Sequence, residues 1–258
     1  MKKTIFTLLL IAVCSVSFAV KVERSFYFDF GNSNNQVTES PDTNGNHWNN
    51  VTGATAGESL LLNDAKGTAT TFSIVSTTKF ESNGASAGGG LLSPSADLLG
   101  DLAIATATQD YLFASQSNHY TFTITGLDPL KGYQFKIFGS RSATDVRIAE
   151  YTLRGAMAVQ GSLQVAGTGI GGEGINQNTS SVYLSPVIIP SAAGEISLTV
   201  HRQYAGSGPY FPINCMRMQE LTELNKADKE IYIDCGHNDG NNGELTASPD
   251  ANGIYWVN

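Results

Sequence analysis

The amino-acid sequence predicts an all-β fold, a two-sheet antiparallel β-sandwich with long loops. Apolar and polar residues alternate with period two in segments such as 120–125, 133–138 and 195–200, a pattern typical of half-buried antiparallel strands. Stretches rich in Gly, Ser and Asn, such as 82–90 and 167–180, separate these segments and are typical of loops. Strand and helix patterns do not alternate along the chain, which argues against a parallel α/β fold.

The predicted elements follow one another along the chain with one helical candidate among them. Residues 97–108 are rich in Ala and Leu and favour a helical turn, although they lack a clean apolar stripe. Residues 126–133, GLDPLKGY, are typical of a tyrosine corner, in which the Tyr133 hydroxyl bonds back to the loop backbone. Strand patterns occupy 26–30, 71–76, 120–125, 133–138, 146–153, 182–189, 195–200 and 211–218.

The chain begins with a segment that has the form of a cleaved secretory signal peptide. Met1–Ala19 contains two lysines, an apolar run at 5–13 that is too short to span a bilayer, and small residues at its end. We therefore expect the protein to be secreted or extracytoplasmic, in the periplasm or at the cell surface. The 258-residue chain has a net charge of −8, and such a surface repels polyphosphates, which argues against nucleic acid and anionic membranes as partners.

One block of sequence occurs twice in the chain. SPDTNGNHWNN at 40–50 and SPDANGIYWVN at 248–258 are identical at seven of eleven positions, and FYFDFG at 26–31 matches IYIDCG at 231–236. The offset of about 200 residues is that of a whole domain rather than of a solenoid repeat. We therefore expect a signal peptide at 1–19, a β-sandwich module at 22–222, a polar linker at 223–230, and at 231–258 the truncated N-terminal piece of a second, homologous module.

Motifs spread over residues 24–220 carry a resemblance to a known family. They are TFTITGLDP at 121–129, YQFKIFGSR at 133–141, YFPINCMRM at 210–218, the opening YFDFG at 27–31, and the repeated block at 40–50. Together they resemble the galactose-binding-like jelly rolls of secreted Bacteroidetes-type polysaccharide-degrading proteins, modules that often precede SGNH-type esterase or other hydrolase domains. The resemblance implies a jelly-roll sandwich, carbohydrate as the partner, and a catalytic domain downstream in the full-length chain.

Trp48 and Asn50 are the first candidate carbohydrate-binding residues. An indole face packs on the C–H face of a pyranose, and amide side chains such as that of Asn50 bond its hydroxyl groups. The alternative is that Trp48 fills the edge of the sandwich while the neighbouring asparagines satisfy turn backbone. The recurrence of this tryptophan as Trp256, in the repeated block, favours the structural alternative.

Arg141, Arg147, Tyr204 and Tyr210 are the second group of candidate carbohydrate-binding residues. They flank predicted loops, and in a jelly roll the loops at one end of the sandwich converge on a shallow cleft. Guanidinium groups and phenol rings there suit polyols and carboxylates. The alternative is that each arginine is solvated and paired with an acidic residue, Asp145 or Glu150.

The sequence predicts no enzyme in this chain and no cofactor. The string GHND at 236–239 matches one SGNH block, but no nucleophile block accompanies it, and the four histidines are isolated in sequence. Carboxylates within or beside predicted strands, Asp29, Asp145 and Glu150, leave glycoside hydrolysis open. A structural calcium ion held by loop carbonyls and Asp29 or Asp42 is chemically allowed, although no calcium-loop pattern is present.

These observations lead to a principal hypothesis and two alternatives. The principal one is a secreted, non-catalytic carbohydrate-binding module, accessory to a polysaccharide-degrading hydrolase encoded downstream. One alternative is a structural spacer or adhesive cell-surface sandwich without specific sugar binding, and the other is a module that itself hydrolyses its substrate.

Overall fold

The computed structural model describes residues 20–31, 37–52, 55–83, 89–115, 119–202 and 208–222, together with the strand pairs at 232–233 and 256–257. The chain divides into two compact units, Met1–Leu224 and Asn225–Asn258. The predicted signal peptide, the predicted linker and Tyr204 lie outside the described residues. Within the described part of the chain, no helix combines the length and apolar character needed to cross a membrane.

The described residues are mainly β-strands, which confirms the all-β prediction. The helical segments are α1 (Ala96–Leu99), a 3₁₀ turn (Gly100–Leu102) and α2 (Ala105–Gln109), which together extend one residue beyond each end of the predicted helical region 97–108. The strands are β1 (Lys21–Phe30), β2 (Trp48–Val51), β3 (Ser59–Asn63), β4 (Ala69–Ser76), β5 (Glu81–Asn83), β6 (Tyr111–Ser115), β7 (Tyr120–Thr125), β8 (Gly132–Phe138), β9 (Arg147–Arg154), β10 (Ala158–Ala166), β11 (Tyr183–Leu184), β12 (Ile196–Arg202), β13 (Tyr210–Ile213), β14 (Cys215–Thr222), β15 (Tyr232–Ile233) and β16 (Trp256–Val257).

Two large sheets form the sandwich of the first unit. Sheet A has five strands in the order β11-β8-β14-β1-β2, and sheet B has six in the order β10-β9-β12-β7-β4-β3. Neighbouring strands are antiparallel except β1 and β2, which run parallel with Tyr27 opposite Trp48. Sequence neighbours such as β7 and β8 lie in different sheets, so the chain crosses repeatedly between the two layers.

The main core lies between the two sheets and is rich in aromatic rings. Phe26, Phe28 and Phe30 alternate along β1 and are fully buried, since residues two apart on a strand share a face. The ring of Phe30 lies 5.0 Å from that of Phe122 on β7. Each fully buried phenylalanine contributes about 1.5–3 kcal/mol of transfer free energy.

A second apolar cluster covers the outer face of sheet A. Tyr27 and Trp48 point to this face and are grouped with Leu99 and Leu102 of the short helical segments. Residues 96–109 therefore fold as a lid on the sheet, which explains their Ala- and Leu-rich composition. Gly100 interrupts the helices with φ at 61°, a conformation that residues with a Cβ rarely adopt.

A third, small sheet was not predicted. It contains β13, β6 and β5, with Tyr210 opposite Ser115 and Asn83 opposite Tyr111. The predicted strand 211–218 therefore breaks at Asn214 into β13 and β14. Asn214 fixes this break because its side chain accepts from Ser140 N (2.7 Å) and donates to the Thr108 and Asp110 carbonyls.

The tyrosine corner is confirmed, whereas the strand prediction at 182–189 is mostly wrong. The Tyr133 hydroxyl accepts a hydrogen bond from Asp128 N at 3.1 Å, as the GLDPLKGY motif predicts. In 182–189 only Tyr183–Leu184 forms a strand, and Ile188 adds a single bridge to Tyr133. Proline at position 186 has no amide hydrogen to donate, which limits regular pairing there.

The second unit is described at one strand pair only. β15 and β16 run parallel with Tyr232 opposite Trp256 and Ile233 opposite Val257. In the first unit, the corresponding residues of the repeated sequence, Tyr27 and Trp48, are paired in the same way. The repeated sequence thus adopts the same strand register in both places.

Candidate functional site

Trp48 is buried within the second apolar cluster. Its side chain is 2% exposed, and its ring lies 5.2 Å from that of Tyr27. The indole N–H donates to Asp42 Oδ2 at 2.8 Å. With its face covered and its only donor satisfied, Trp48 does not present a platform for a sugar in this structure, which favours the structural alternative.

Asn50 and its neighbour Asn49 are engaged with backbone. Asn50 accepts from Thr38 N through Oδ1 (2.9 Å) and donates to Thr38 O through Nδ2 (3.0 Å). Asn49 donates to the carbonyls of Tyr27 and Asn63 and accepts from Asn63 N. Both asparagines therefore clamp the loops beside β2, as the structural alternative proposes.

The carboxylates proposed for calcium differ in how fully protein donors satisfy them. Asp42 accepts from the amides of Asn44 and Asn46 and from Trp48, so both of its oxygens are used. Asp29 is 2% exposed and accepts from Thr38 N through Oδ2, while its Oδ1 has no hydrogen-bond partner. Burial and the nearby Asp110 carboxylate hold the pKa of Asp29 well above its ordinary value. Calcium at Asp29 stays a hypothesis.

Three of the predicted residues, Arg141, Arg147 and Tyr210, come together in space. The guanidinium carbon of Arg141 lies 5.5 Å from the ring centre of Tyr210 and 5.9 Å from that of Tyr111, and that of Arg147 lies 5.3 Å from Tyr210. We call these four residues the Arg–Tyr cluster. They come from β6, the loop after β8, and the first residues of β9 and β13. Both arginines are within the range of cation–π attraction.

Arg147 is paired with Asp145, one of the two acidic partners expected for it. Its Nε and Nη2 donate to the two carboxylate oxygens at 2.8 and 2.9 Å. This fork holds the pKa of Asp145 below its ordinary value, with a smaller contribution from the charge of Arg141. Arg147 is only 7% exposed, whereas the Asp145 side chain is 45% exposed, so the pair is solvated at its carboxylate only. Glu150, the other expected partner, is bonded instead to His201 Nε2 at 3.0 Å.

Two guanidinium N–H groups of the cluster lack acceptors. Arg141 Nε and Arg147 Nη1 are both buried and have no hydrogen-bond partner. A buried donor without an acceptor costs about 1–3 kcal/mol, and more when the group is charged. The folded first unit carries this cost beside the rings of Tyr111 and Tyr210.

Two aromatic residues of this region were missed by the sequence analysis. Tyr111 and Phe113 lie two apart on β6 and share a face, with ring centres 5.9 Å apart. Phe113 also contacts Tyr210 edge to face at 5.7 Å. The Tyr111 hydroxyl accepts from Asn83 Nδ2 at 3.1 Å, and burial raises its pKa. The apolar run Tyr111-Leu112-Phe113 was the available signal, but it is short and follows directly on the helical region.

A cleft is lined in part by the loop that follows β8. It has a volume of about 510 Å³ and includes Ser142, which follows Arg141 directly, with Leu92 and Ile175 among its half-exposed walls. A Cβ at Gly90 in its wall would overlap the Asn214 amide and the Thr108 carbonyl, so only glycine allows this approach. Its lining residues are Gly89, Gly90, Leu91, Leu92, Ser93, Ser142, Ile175, Gln177 and Thr179.

Two of the four histidines and the buried carboxylate of Glu220 form structural pairs. His119 and His201, isolated in sequence, stack with ring centres 4.9 Å apart. Glu220, fully buried, is bonded to Arg24 and lies 3.0 Å from Lys131 Nζ. In the described ranges, no group of three or more His, Cys, Asp or Glu side chains is arranged to hold a metal ion.

Comparisons with known proteins identify distant structural likenesses. No family model and no curated protein sequence matches the chain. The ANX2 ectodomain of Arabidopsis thaliana aligns with 67% of this chain and 54% of its own, at 14% identity and a TM-score of 0.38. TmCBM61 in complex with β-1,4-galactotriose aligns with 42% of this chain and 70% of its own, at 13% identity and a TM-score of 0.22. The chain thus spans about half the length of the ANX2 ectodomain, and the fold assignment rests on the strand pairing described above.

Proposed function

We propose that the first unit is a secreted, non-catalytic β-sandwich that binds carbohydrate at the Arg–Tyr cluster. The observation that supports this is the half-buried Arg141 guanidinium, which has no ion-pair partner among the described residues and lies beside the half-buried Tyr210 ring. A saccharide offers hydroxyl oxygens as acceptors and an apolar C–H face for an aromatic ring. The cluster offers guanidinium N–H donors for the hydroxyl oxygens and the Tyr210 ring for the C–H face.

The binding proposed here is that of an accessory module. Phe113 and Tyr210 are only half-buried, so their rings are partly available to a ligand. A module tethered to a hydrolase raises the local concentration of the catalyst at an insoluble substrate, and a second copy adds avidity. The shared register of Tyr27–Trp48 and Tyr232–Trp256 supports the proposal that residues 231–258 begin a second module of the same kind.

The alternative is a structural spacer or adhesive module without specific sugar binding. The bidentate Arg147–Asp145 pair and the near-complete burial of Arg147 favour this alternative, because they also suit a rigid end to the sandwich. The two functions differ in one testable respect. If the unit is a spacer, removal of the Arg141 side chain changes the affinity for no glycan.

The experiment compares glycan binding by the full chain with that by Arg141→Ala and by a matched control, Arg154→Ala. Arg154 ends the strand that Arg147 begins and is exposed. A panel of plant and host polysaccharides is screened, and each one bound is titrated by calorimetry. We expect at least a tenfold loss of affinity for Arg141→Ala and none for Arg154→Ala.

Two outcomes would overturn the proposal. One is the absence of binding to any polysaccharide in the panel at millimolar saccharide concentration. The other is equal affinity of the wild type and Arg141→Ala, with both variants shown to be folded by their melting temperatures. In either case the spacer becomes the better account.

A further inference from the structure

We infer that the saccharide bound at the Arg–Tyr cluster carries a carboxylate, so that the ligand class is a glycan containing uronic acid. This inference rests on the proposed function and concerns the same site. It names Arg141 as the residue that pairs with the carboxylate. Within the cluster Arg147 is paired with Asp145, whereas Arg141 has no such partner among the described residues.

The cluster contains an unbalanced positive charge. Arg147 and Asp145 neutralise each other through two hydrogen bonds. Arg141 forms no ion pair with any residue that the structure describes, and its Nε is buried without an acceptor. Arg141 is half-buried, so its charge is partly desolvated, and this costs more without a counter-ion than it does for an exposed arginine such as Arg154. An anion from outside is the partner that this group lacks.

The field of Arg141 extends over the neighbouring groups of the cluster. Its charge contributes to the low pKa of Asp145, after the stronger effect of the Arg147 hydrogen bond. It also opposes the effect of burial, which raises the pKa of Tyr111. The strands of the three-stranded sheet carry one acidic residue in their described ranges, Glu81, which is exposed and pairs with Phe113 rather than with Tyr111. Arg141 is therefore a cation without a paired carboxylate in the described part of a chain whose net charge is −8.

The geometry of the cluster suits a carboxylate on a pyranose. A guanidinium group presents N–H donors in a planar fork that matches a carboxylate, and pairs of this kind are stronger than hydrogen bonds between neutral groups. Arg141 Nε is closed to solvent, so the carboxylate would bond to the outer nitrogens of this half-buried guanidinium. The partly exposed Tyr210 ring, 5.5 Å from Arg141, would contact the sugar ring that carries the acid. A neutral sugar would satisfy the donors but leave the charge of Arg141 unpaired.

The test compares each acidic glycan with its own neutral counterpart. Polygalacturonate, alginate, glucuronoxylan and hyaluronan are each used as such and after chemical reduction of their carboxylates to alcohols. Reduction preserves the linkage and the sugar ring and removes only the charge. We expect the full chain to bind at least one of the acidic glycans ten or more times more tightly than its reduced form, and the affinity to fall as salt increases.

A variant then assigns the preference to a residue. Arg141→Gln keeps hydrogen-bonding capacity and removes the charge, and it should bind the acidic and reduced glycans with equal affinity. Arg154→Gln is the matched control and should keep the preference. Melting temperatures confirm that both variants are folded, and the wild-type comparison stands even if Arg141→Gln does not fold.

The outcomes separate this inference from the proposed function. If the wild type binds the reduced glycans, or neutral ones, as tightly as the acidic ones, the carboxylate inference is overturned while carbohydrate binding stands. If the preference for acid persists in Arg141→Gln, the assignment to Arg141 is overturned. If neither acidic nor neutral glycans bind, both the inference and the proposed function fail.

Discussion

The Trp48 region and the Arg–Tyr cluster contain similar residue types but satisfy them differently. Each places an aromatic ring beside planar nitrogen-bearing side chains. Around Trp48, the indole N–H and the side-chain amides of Asn49 and Asn50 all have hydrogen-bond partners. In the cluster, Arg141 and Arg147 retain buried N–H groups without acceptors. The two regions are therefore distinguished by the hydrogen-bond partners of their side chains rather than by residue type.

The two regions also differ in how they are assembled. Trp48 is bonded to Asp42, six residues earlier, through a turn that the repeated block encodes locally. The cluster draws on residues far apart in sequence, from Tyr111 to Tyr210. A locally encoded region can be copied as a block, whereas the cluster exists only once the sandwich has folded. The predictions below test this division between structure and binding.

The largest effect is expected for Trp48→Ala. Removal of a buried indole from the second apolar cluster leaves a cavity and should lower the free energy of unfolding by about 3–5 kcal/mol, measured by chemical denaturation. Leu130→Ala is the control, because Leu130 is 92% exposed and its loss should cost little. The affinity of the folded fraction for glycan should be unchanged. Loss of binding with little loss of stability would contradict the structural role of Trp48.

A smaller effect is expected for Asp42→Ala, with Asp64→Ala as the matched control. Both aspartates accept two backbone amides in a turn, but only Asp42 also accepts the Trp48 indole N–H. We expect Asp42→Ala to cost about 1 kcal/mol more than Asp64→Ala, the net value of one hydrogen bond. Equal losses of stability in the two variants would show that the indole bond contributes nothing.

A pH-dependent effect is expected for Asp29, a buried side chain beside the Trp48 region whose Oδ1 has no hydrogen-bond partner among the described residues. Its pKa in the folded protein is raised by burial and by Asp110. The folded state thus binds the proton more tightly than the unfolded chain does, so stability is lost as pH rises from the ordinary value of 3.8 towards the folded value.

Asp29→Asn removes this titration while keeping an oxygen for the Thr38 amide. The variant should melt higher than the wild type at pH 7, and this advantage should shrink towards pH 4. Each kcal/mol recovered corresponds to about 2–4 °C in a domain of this size. A lower melting temperature at pH 7, together with loss of wild-type stability in a chelator, would instead support a cation bound by the Asp29 carboxylate.

The smallest effect on stability is expected in the Arg–Tyr cluster. Arg141→Gln removes a half-buried cation without an ion-pair partner but also its contacts with the Tyr111 and Tyr210 rings, and because these two effects oppose each other the melting temperature should change by no more than about 2 °C. Thermal unfolding of the ligand-free chain measures this. A large drop in melting temperature would place Arg141 with Trp48 among the structural residues and remove the contrast between the two regions.

Local patterns predicted the parts of the fold that local chemistry determines. Alternation identified β7 and β8, and the GLDPLKGY motif predicted the bond to the Tyr133 hydroxyl. The break at Asn214 was not predictable from sequence, because it depends on contacts with residues as distant as Thr108. Short strands such as β5 lack enough residues to show a period.

The candidate site was predicted only in part, because some of its residues are recognisable from local sequence and others are brought in by distant contacts. Arg141, Arg147 and Tyr210 were identified because arginines and tyrosines flank predicted loops, and the structure brings these three together. Tyr111 and Phe113 were missed because β6 follows a helical segment and pairs with strands distant in sequence. The lack of an acceptor at Arg141 depends on the folded environment and has no signature in sequence.

The account rests on the Arg–Tyr cluster being the place where saccharide binds. A crystal structure of the chain soaked with the polysaccharide fragment that binds most tightly tests this directly. We predict a sugar residue packed on Tyr210 with an oxygen within hydrogen-bond distance of the Arg141 guanidinium. A saccharide bound elsewhere on the sandwich, with Arg141 and Tyr210 making no contact to it, would contradict the account.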